Sequence, residues 1–455
     1  MRKHLSAVTI ALTAILLTSL PAAAQGTQQG GQPGYTLPEY NSFQAAQTEK
    51  DPAVRVKMLD SFVTSYPNST LMQYVDQLYY QTFYQLKNFG KAIEYADKLV
   101  ALDDKADLTR RVQAIQDRVQ LFSLAFKADA PDAHDQLTKE RDAALQGLKM
   151  LPDLKKANPN VTDDQIKTIT AALQNAVVTA DLALKDYPSA IDMLKAQLAA
   201  NSSDPVATLR LGLAYLQMTP PQPLDGFWSL ARAIDLKAPD SERTKSYLRS
   251  RILAYEQPGC DSQVDAQLSE LLQLAANAPD RPSTYTIPSH DDLAKVSQAS
   301  TIISVIGDLS AGGDKAKMTW LAICGAEFPE VVGKIIDAQK TEDTVDFKVF
   351  TSSNSDEMAA ATSANMAFSV PIVAKPAAAA PAGGVAPAEV TAQPDVVRLA
   401  KDDEIRFSGM VASYDPSPFL LHWDQVKVDP SIIPADKSSP AKRPVHKPAP
   451  KSPGN

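Results

Sequence analysis

The chain has 455 residues, 44% of them hydrophobic and 22% charged, with a formal net charge of −8. That length and apolar content support more than one buried core, two or three domains in all. The acidic balance gives the chain no electrostatic reason to seek phosphate backbones, so nucleic acid is not expected as a partner.

Arg2, Lys3 and His4 open the chain, Leu5 to Leu20 is an apolar run, and Ala22-Ala23-Ala24 supplies the small residues of a cleavage site. Residues 1–24 are therefore expected to be a signal peptide removed before Gln25, which places the protein in the periplasm or outside the cell. Losing Arg2 and Lys3 makes the mature chain more acidic still. No cysteine follows the apolar run, which argues against a lipid anchor, and no later segment approaches the ~20 apolar residues of a membrane span. The only cysteines are Cys260 and Cys324. Outside the cytoplasm they can form one disulfide; two buried apolar thiols fit the spacing equally well.

Residues 25–37 are rich in Gly and Gln and read as a flexible lead-in. Asp51-Pro52 then opens a helical segment with Val54, Met58, Leu59, Phe62 and Val63 at helical spacing, stopped by Tyr66-Pro67. Leu71 to Leu86 is predicted as a helix crowded with Tyr74, Leu78, Tyr79, Phe83 and Leu86, and Phe89 to Leu102 as its partner. Ala106 to Pro159 stays helical. Thr162-Asp163-Asp164-Gln165 is a capping box that opens the helix leading to Tyr187.

Two octapeptides in this region are near copies. Lys87-Asn88-Phe89-Gly90-Lys91-Ala92-Ile93-Glu94 recurs as Lys185-Asp186-Tyr187-Pro188-Ser189-Ala190-Ile191-Asp192, close to three ~34-residue helix–turn–helix units further on. Leu211-Gly212-Leu213-Ala214-Tyr215 supplies the other half of the same pattern. Ala92, Ala190 and Gly212 stand where two helices approach most closely, while Phe89, Tyr187 and Tyr215 fill the grooves beside them. Together these segments resemble the tetratricopeptide repeat. The resemblance implies an α-solenoid over residues 38–256, about six hairpins with some degenerate, that docks a protein segment in its concave groove. Tyr74, Tyr80, Tyr84 and Arg210 are the expected groove residues, as first-helix positions away from the expected core.

Residues 257–325 read as a helical capping or bridging region, with helices at Asp261 to Leu274 and Ser289 to Leu309. Alternation then replaces the helical period. Strands are predicted at Val331 to Ala338, Thr344 to Phe350, Met366 to Val373, Glu404 to Tyr414 and Phe419 to Val428, the last two joined by Asp415-Pro416-Ser417-Pro418. Five short strands, with Gly333 in the first and Gly409 in the fourth, suit a small closed barrel over residues 326–430. Gly333-Lys334-Ile335-Ile336-Asp337 and Glu404-Ile405-Arg406-Phe407-Ser408-Gly409 resemble the oligonucleotide/oligosaccharide-binding barrel in its anticodon-domain-like form. Residues 374–394 are Ala/Pro-rich and read as a disordered insert, and residues 431–455 as a disordered Lys/Pro-rich tail.

No catalytic motif declares itself. His290-Asp291-Asp292 reads as a helix start capped by Ser289, not as a metal site. No His-Glu-x-x-His, Cys-x-x-Cys or Gly-x-Ser-x-Gly pattern occurs, so neither metal nor cofactor is expected and the chain reads as a scaffold, not an enzyme. The alternative is a carbohydrate- or cell-wall-binding module in which Trp423, Tyr414 and the basic tail act on an envelope polymer; the same tail suits anionic lipid. Phe347 and Phe407 fall more naturally in the barrel core.

Overall fold

The computed structural model describes residues 34–260, 262–374 and 391–435. The expected signal peptide, most of the lead-in, most of the Ala/Pro-rich insert and most of the Lys/Pro-rich tail lie outside the described residues. The architecture is a helical array followed by a closed five-stranded barrel, as the sequence predicts. The chain divides into two compact units, one up to Asp186 and one from Tyr187 onward.

The first unit holds α1 (Leu37–Thr48), α2 (Pro52–Ser65), α3 (Met72–Gln85), α4 (Phe89–Ala101), α5 (Leu108–Ala125), α6 (Ala133–Ala157) and α7 (Asp163–Leu184), each packed on the next. Local sequence fixes the starts. Asp51 accepts from the Ala53 and Val54 amides with Pro52 in the first helical position, where its missing N–H costs nothing. Asn88 and Asp107 cap α4 and α5, and Thr162 forms the expected capping box with Gln165. Phe43, Leu59, Phe62, Val75 and Tyr79 form one core across α1, α2 and α3.

The second unit continues with α8 (Tyr187–Ala200), α9 (Pro205–Gln217), α10 (Pro223–Asp235), α11 (Ser241–Glu256) and α12 (Ser262–Asn277). Ala92 and Ala190 are fully buried, as their shared place in the octapeptides requires. Gly212 shows why the position stays small. A Cβ there would stand 2.9 Å from the Leu230 side chain and from its backbone nitrogen, so α9 and α10 touch through a hydrogen atom. Phe89 and Tyr187 are half-buried at their helix starts; Phe89 meets the Tyr84 ring at 6.1 Å, and the Tyr187 hydroxyl donates to Gln217 Oε1 at 3.1 Å. Tyr215 is buried.

One expected element is two. Ser289 to Leu309 divides into α13 (His290–Ala299) and α14 (Ile302–Ala311), because Thr301 leaves the helix to cap a new one, accepting from the Ser304 amide. Ser289 caps α13 with Asp292 reaching back, as the His290-Asp291-Asp292 reading anticipates. After Gly312 comes α15 (Gly313–Ile323).

The barrel is built from β1 (Glu327–Lys340), β2 (Thr344–Phe350), a short α16 (Ser355–Ala360), β3 (Met366–Pro371), β4 (Glu404–Pro416) and β5 (Phe419–Val428). It closes in the order β1-β2-β3-β5-β4, with every pair antiparallel except β3 and β5. Alternation puts Val345, Phe347 and Val349 inside, facing Phe368, Phe407 and Trp423. Gly333 lets β1 pass β2: a Cβ would fall 2.4 Å from Val349 Cγ1. The barrel interior is continuous with Val305, Leu309, Trp320 and Ile323 of α14 and α15. A disulfide joins Cys260 to Cys324, across 64 residues of sequence, with Cα atoms 5.6 Å apart. No described helix is long and apolar enough to cross a membrane.

Glu256, at the end of α11, is fully buried, and among the described residues neither carboxylate oxygen has a hydrogen-bond partner. Burial pushes its pKa up to about 7, with Gln267 offsetting part of the cost without closing a hydrogen bond. A raised carboxyl pKa means stability that is full below the ordinary carboxylate range and lost as pH climbs through 7. Glu256→Met is expected to stabilise the protein by about 1–3 kcal/mol at pH 8, with the gain shrinking toward pH 5, in urea titrations at both pH values. A loss of stability at pH 8 would contradict this. Gly212→Ala is expected to cost about 1–3 kcal/mol by the same measurement, from overpacking against Leu230.

Candidate functional site

In the first unit, α3 meets α5 through a ladder of polar contacts on one stripe of α3. Gln73 Oε1 accepts the Asp107 amide at 3.0 Å, Gln77 Oε1 accepts from the Arg110 guanidinium, and Tyr80 faces Asp117, which also accepts from Gln113 Nε2 at 2.9 Å. The first two contacts join residues 34 and 33 apart, one helix–turn–helix period.

This ladder corrects the expected groove. Tyr80 is only 4% exposed, on the stripe of α3 that faces Asp117 of α5; burial and the Asp117 carboxylate suppress its acidity. Tyr74 is half-buried between the Phe43 ring at 6.2 Å and the Arg110 guanidinium at 4.3 Å, and Tyr84 is half-buried against Phe89. Arg210 belongs to the second unit, where burial pulls its pKa down against the favourable charge of Asp204.

The second unit carries a cavity of about 470 Å³ between α8, α9, α10 and the loop after α12. On α9, Thr208, Leu211 and Tyr215 fall at i, i+3 and i+7 and face it; Arg210 lies off that stripe and does not line it. On α10, Asp225, Trp228, Ser229 and Arg232 do the same. Arg281 reaches in from the loop, donating to Asp225 Oδ1 and to the Tyr285 carbonyl, both at 2.9 Å. Exposed Lys195 on α8 stands 5.7 Å from the Tyr215 ring, and the Tyr215 hydroxyl, ahead of Asp192 and Asp225, holds its pKa up.

The site is rich in donors. Among the described residues Trp228 Nε1 and Arg232 Nε, both sealed from solvent, have no hydrogen-bond partner, although Arg232 Nη1 is held by the Ala276 carbonyl at 2.9 Å and Asp235 at 3.1 Å. Lys195 and Arg281, over an apolar floor of Leu211 and Tyr215, suit a ligand that brings an anionic oxygen and an apolar group. Trp228, Arg232, Arg281 and Lys195 were missed by sequence reasoning; the i, i+3, i+7 stripe on α10 was the available signal for Trp228 and Arg232.

In the barrel, Trp423 is 3% exposed and packs edge-on to Phe407 and Phe328, so it is core and cannot stack a sugar. Tyr414 is half-buried against Trp320. The basic tail lies outside the described residues. Among those described, no three His, Cys, Asp or Glu side chains converge as a metal site. Neither the protein-family models nor the curated proteins contain a match to this chain.

A buried ionic cluster ties three helices of the first unit. Arg118 on α5 donates to Asp97 on α4 at 2.6 Å and to Glu140 on α6, with Arg118 and Glu140 each 2% exposed. Burial pushes the Glu140 carboxyl up against the opposing pull of Arg118. Arg118→Met is expected to destabilise by about 3–5 kcal/mol at pH 8 through the orphaned Glu140, and by less at pH 5, where that carboxyl takes up a proton. Arg118→Met/Glu140→Leu is expected to recover most of the loss in chemical denaturation; a double variant as weak as the single one would refute the account.

Proposed function

We propose that this protein is an exported, non-catalytic scaffold that docks extended protein segments on a tetratricopeptide-like helical array, in the assembly or maintenance of the cell envelope. Its C-terminal barrel is of the oligonucleotide/oligosaccharide-binding type. The one-period contacts between α3 and α5 and the close helix contact at Gly212 support the repeat reading. The closed five-strand order supports the barrel reading. Export is supported by the leader pattern of residues 1–24 and by the Cys260–Cys324 bond, which suits an oxidising compartment.

The observation that carries the function is the donor-rich cavity of the second unit. An extended segment offers an acidic side chain to Lys195 and Arg281 and an apolar side chain to Leu211 and Tyr215. Docking is reversible and involves no turnover. Panning the full chain against a random peptide library is expected to enrich segments that pair acidic with apolar residues. Lys195→Glu, an exposed rim change, is expected to weaken the selected peptides about tenfold in fluorescence titration. Absence of enrichment, or equal affinity for this variant, would sink the proposal.

A further inference from the structure

The first unit holds a second cavity, of about 530 Å³, between α2, α3 and α4. Asp76 of α3 lines it and is only 4% exposed, yet among the described residues it makes no hydrogen bond and no ion pair. The nearby cation is committed elsewhere: the Lys98 ammonium lies 3.0 Å from Glu94 Oε1 and 4.0 Å above the Tyr95 ring. Across the cavity from α2, Asp60 accepts the Tyr79 hydroxyl at 2.7 Å. Tyr95 is stacked on Tyr79 at 4.1 Å, so the aromatic faces are already used. Val63, Met72 and Leu102 supply the apolar wall.

A carboxylate this deeply buried is not left without a partner at no cost. Asp60 and Asp76 against Lys98 leave the cavity one negative charge in excess. Two carboxylates are too few for a metal site, and one buried carboxylate beside an apolar wall matches a compact cation on a methylene stem better than a planar guanidinium. We propose that this cavity binds a primary alkylammonium, the lysine side chain of a partner or a free diamine, with the ammonium on Asp76 and the methylenes against Val63, Met72 and Leu102. The site shares no residue with the donor-rich cavity and does not depend on the function assigned to it.

Burial holds the Asp76 carboxyl up to about 6, with Lys98 partly offsetting it. The facing groups are Asp60 from α2, Tyr79 from α3, and Tyr95 and Lys98 with Glu94 behind it from α4. Only the ionised carboxylate attracts a cation, so affinity rises with pH through 6 and falls below it.

The test is calorimetric titration of the full chain at pH 7.5 with 1,5-diaminopentane, with a tripeptide Gly-Lys-Gly blocked at both ends, and with 1-pentanol as the uncharged control. One or both ammonium probes are expected to bind at a single site; tighter binding of the diamine identifies a free amine as the ligand, and tighter binding of the tripeptide a partner lysine. Asp76→Asn is expected to weaken binding at least tenfold. Lys98→Gln, an exposed change that removes the resident cation and does not burden the fold, is expected to tighten it severalfold. Titration at pH 5 is expected to weaken it about tenfold. The proposal fails if neither probe binds at millimolar concentration, if pentanol binds as well, or if Lys98→Gln and a folded Asp76→Asn bind as the parent does.

Discussion

Helices α9 and α10 meet at a point where nothing larger than a hydrogen atom fits. Gly212 lies against Leu230 so closely that even a methyl group would force one helix to move. Contact this tight fixes rotation as well as distance. With Gly212 turned onto α10, Thr208, Leu211 and Tyr215 fall together on the face that lines the donor-rich cavity, and Arg210 is carried off it. The cavity therefore follows from a packing constraint two turns of helix long. The alanines Ala92 and Ala190 are fully buried in α4 and α8.

The first unit adds a polar adhesive to its apolar core. Its helices are joined by Gln73, Gln77 and Tyr80 on one stripe and by the Asp97–Arg118–Glu140 cluster, all of it polar. Such contacts add little net stability, since each charge gives up water to make them. What they do is discriminate: a helix slipped by one turn would leave Glu140 or Asp117 buried without its partner, which an apolar seam would tolerate far better. The cost appears as carboxyl groups pushed up by burial at Asp117 and Glu140.

Much of the fold was legible because it is written locally. Asp51-Pro52, Asn88, Thr162 with Gln165, and Ser289 act within four residues of themselves, and all of them start helices. Alternation in Thr344 to Phe350 marks a strand with its inward side chains already assigned. Tyr80 and Trp423 were misplaced because periodicity gives faces without saying what covers them; Asp117 of α5 faces Tyr80, and the barrel encloses Trp423. The break at Ser300-Thr301 was hidden in an apolar run that reads as one helix. The cavity residues come from three helices and a loop that sequence cannot bring together. Cys260 and Cys324 left two outcomes open, since a spacing of 64 residues carries no geometry.

The barrel has no inner boundary with the helices that precede it. Trp320 and Ile323 of α15 and Val305 and Leu309 of α14 share one apolar interior with Val331, Phe407 and Trp423, and the disulfide fastens the same helices to the loop after α11. A fragment cut at residue 326 would lose the helical part of its own core and open the remainder to water. Proteolysis or gene truncation that aims to liberate the barrel must therefore carry α14 and α15 with it. By the same logic, the shortest heritable module at this end of the chain is larger than its strands, and recombination could transplant it intact only by starting upstream of Cys260.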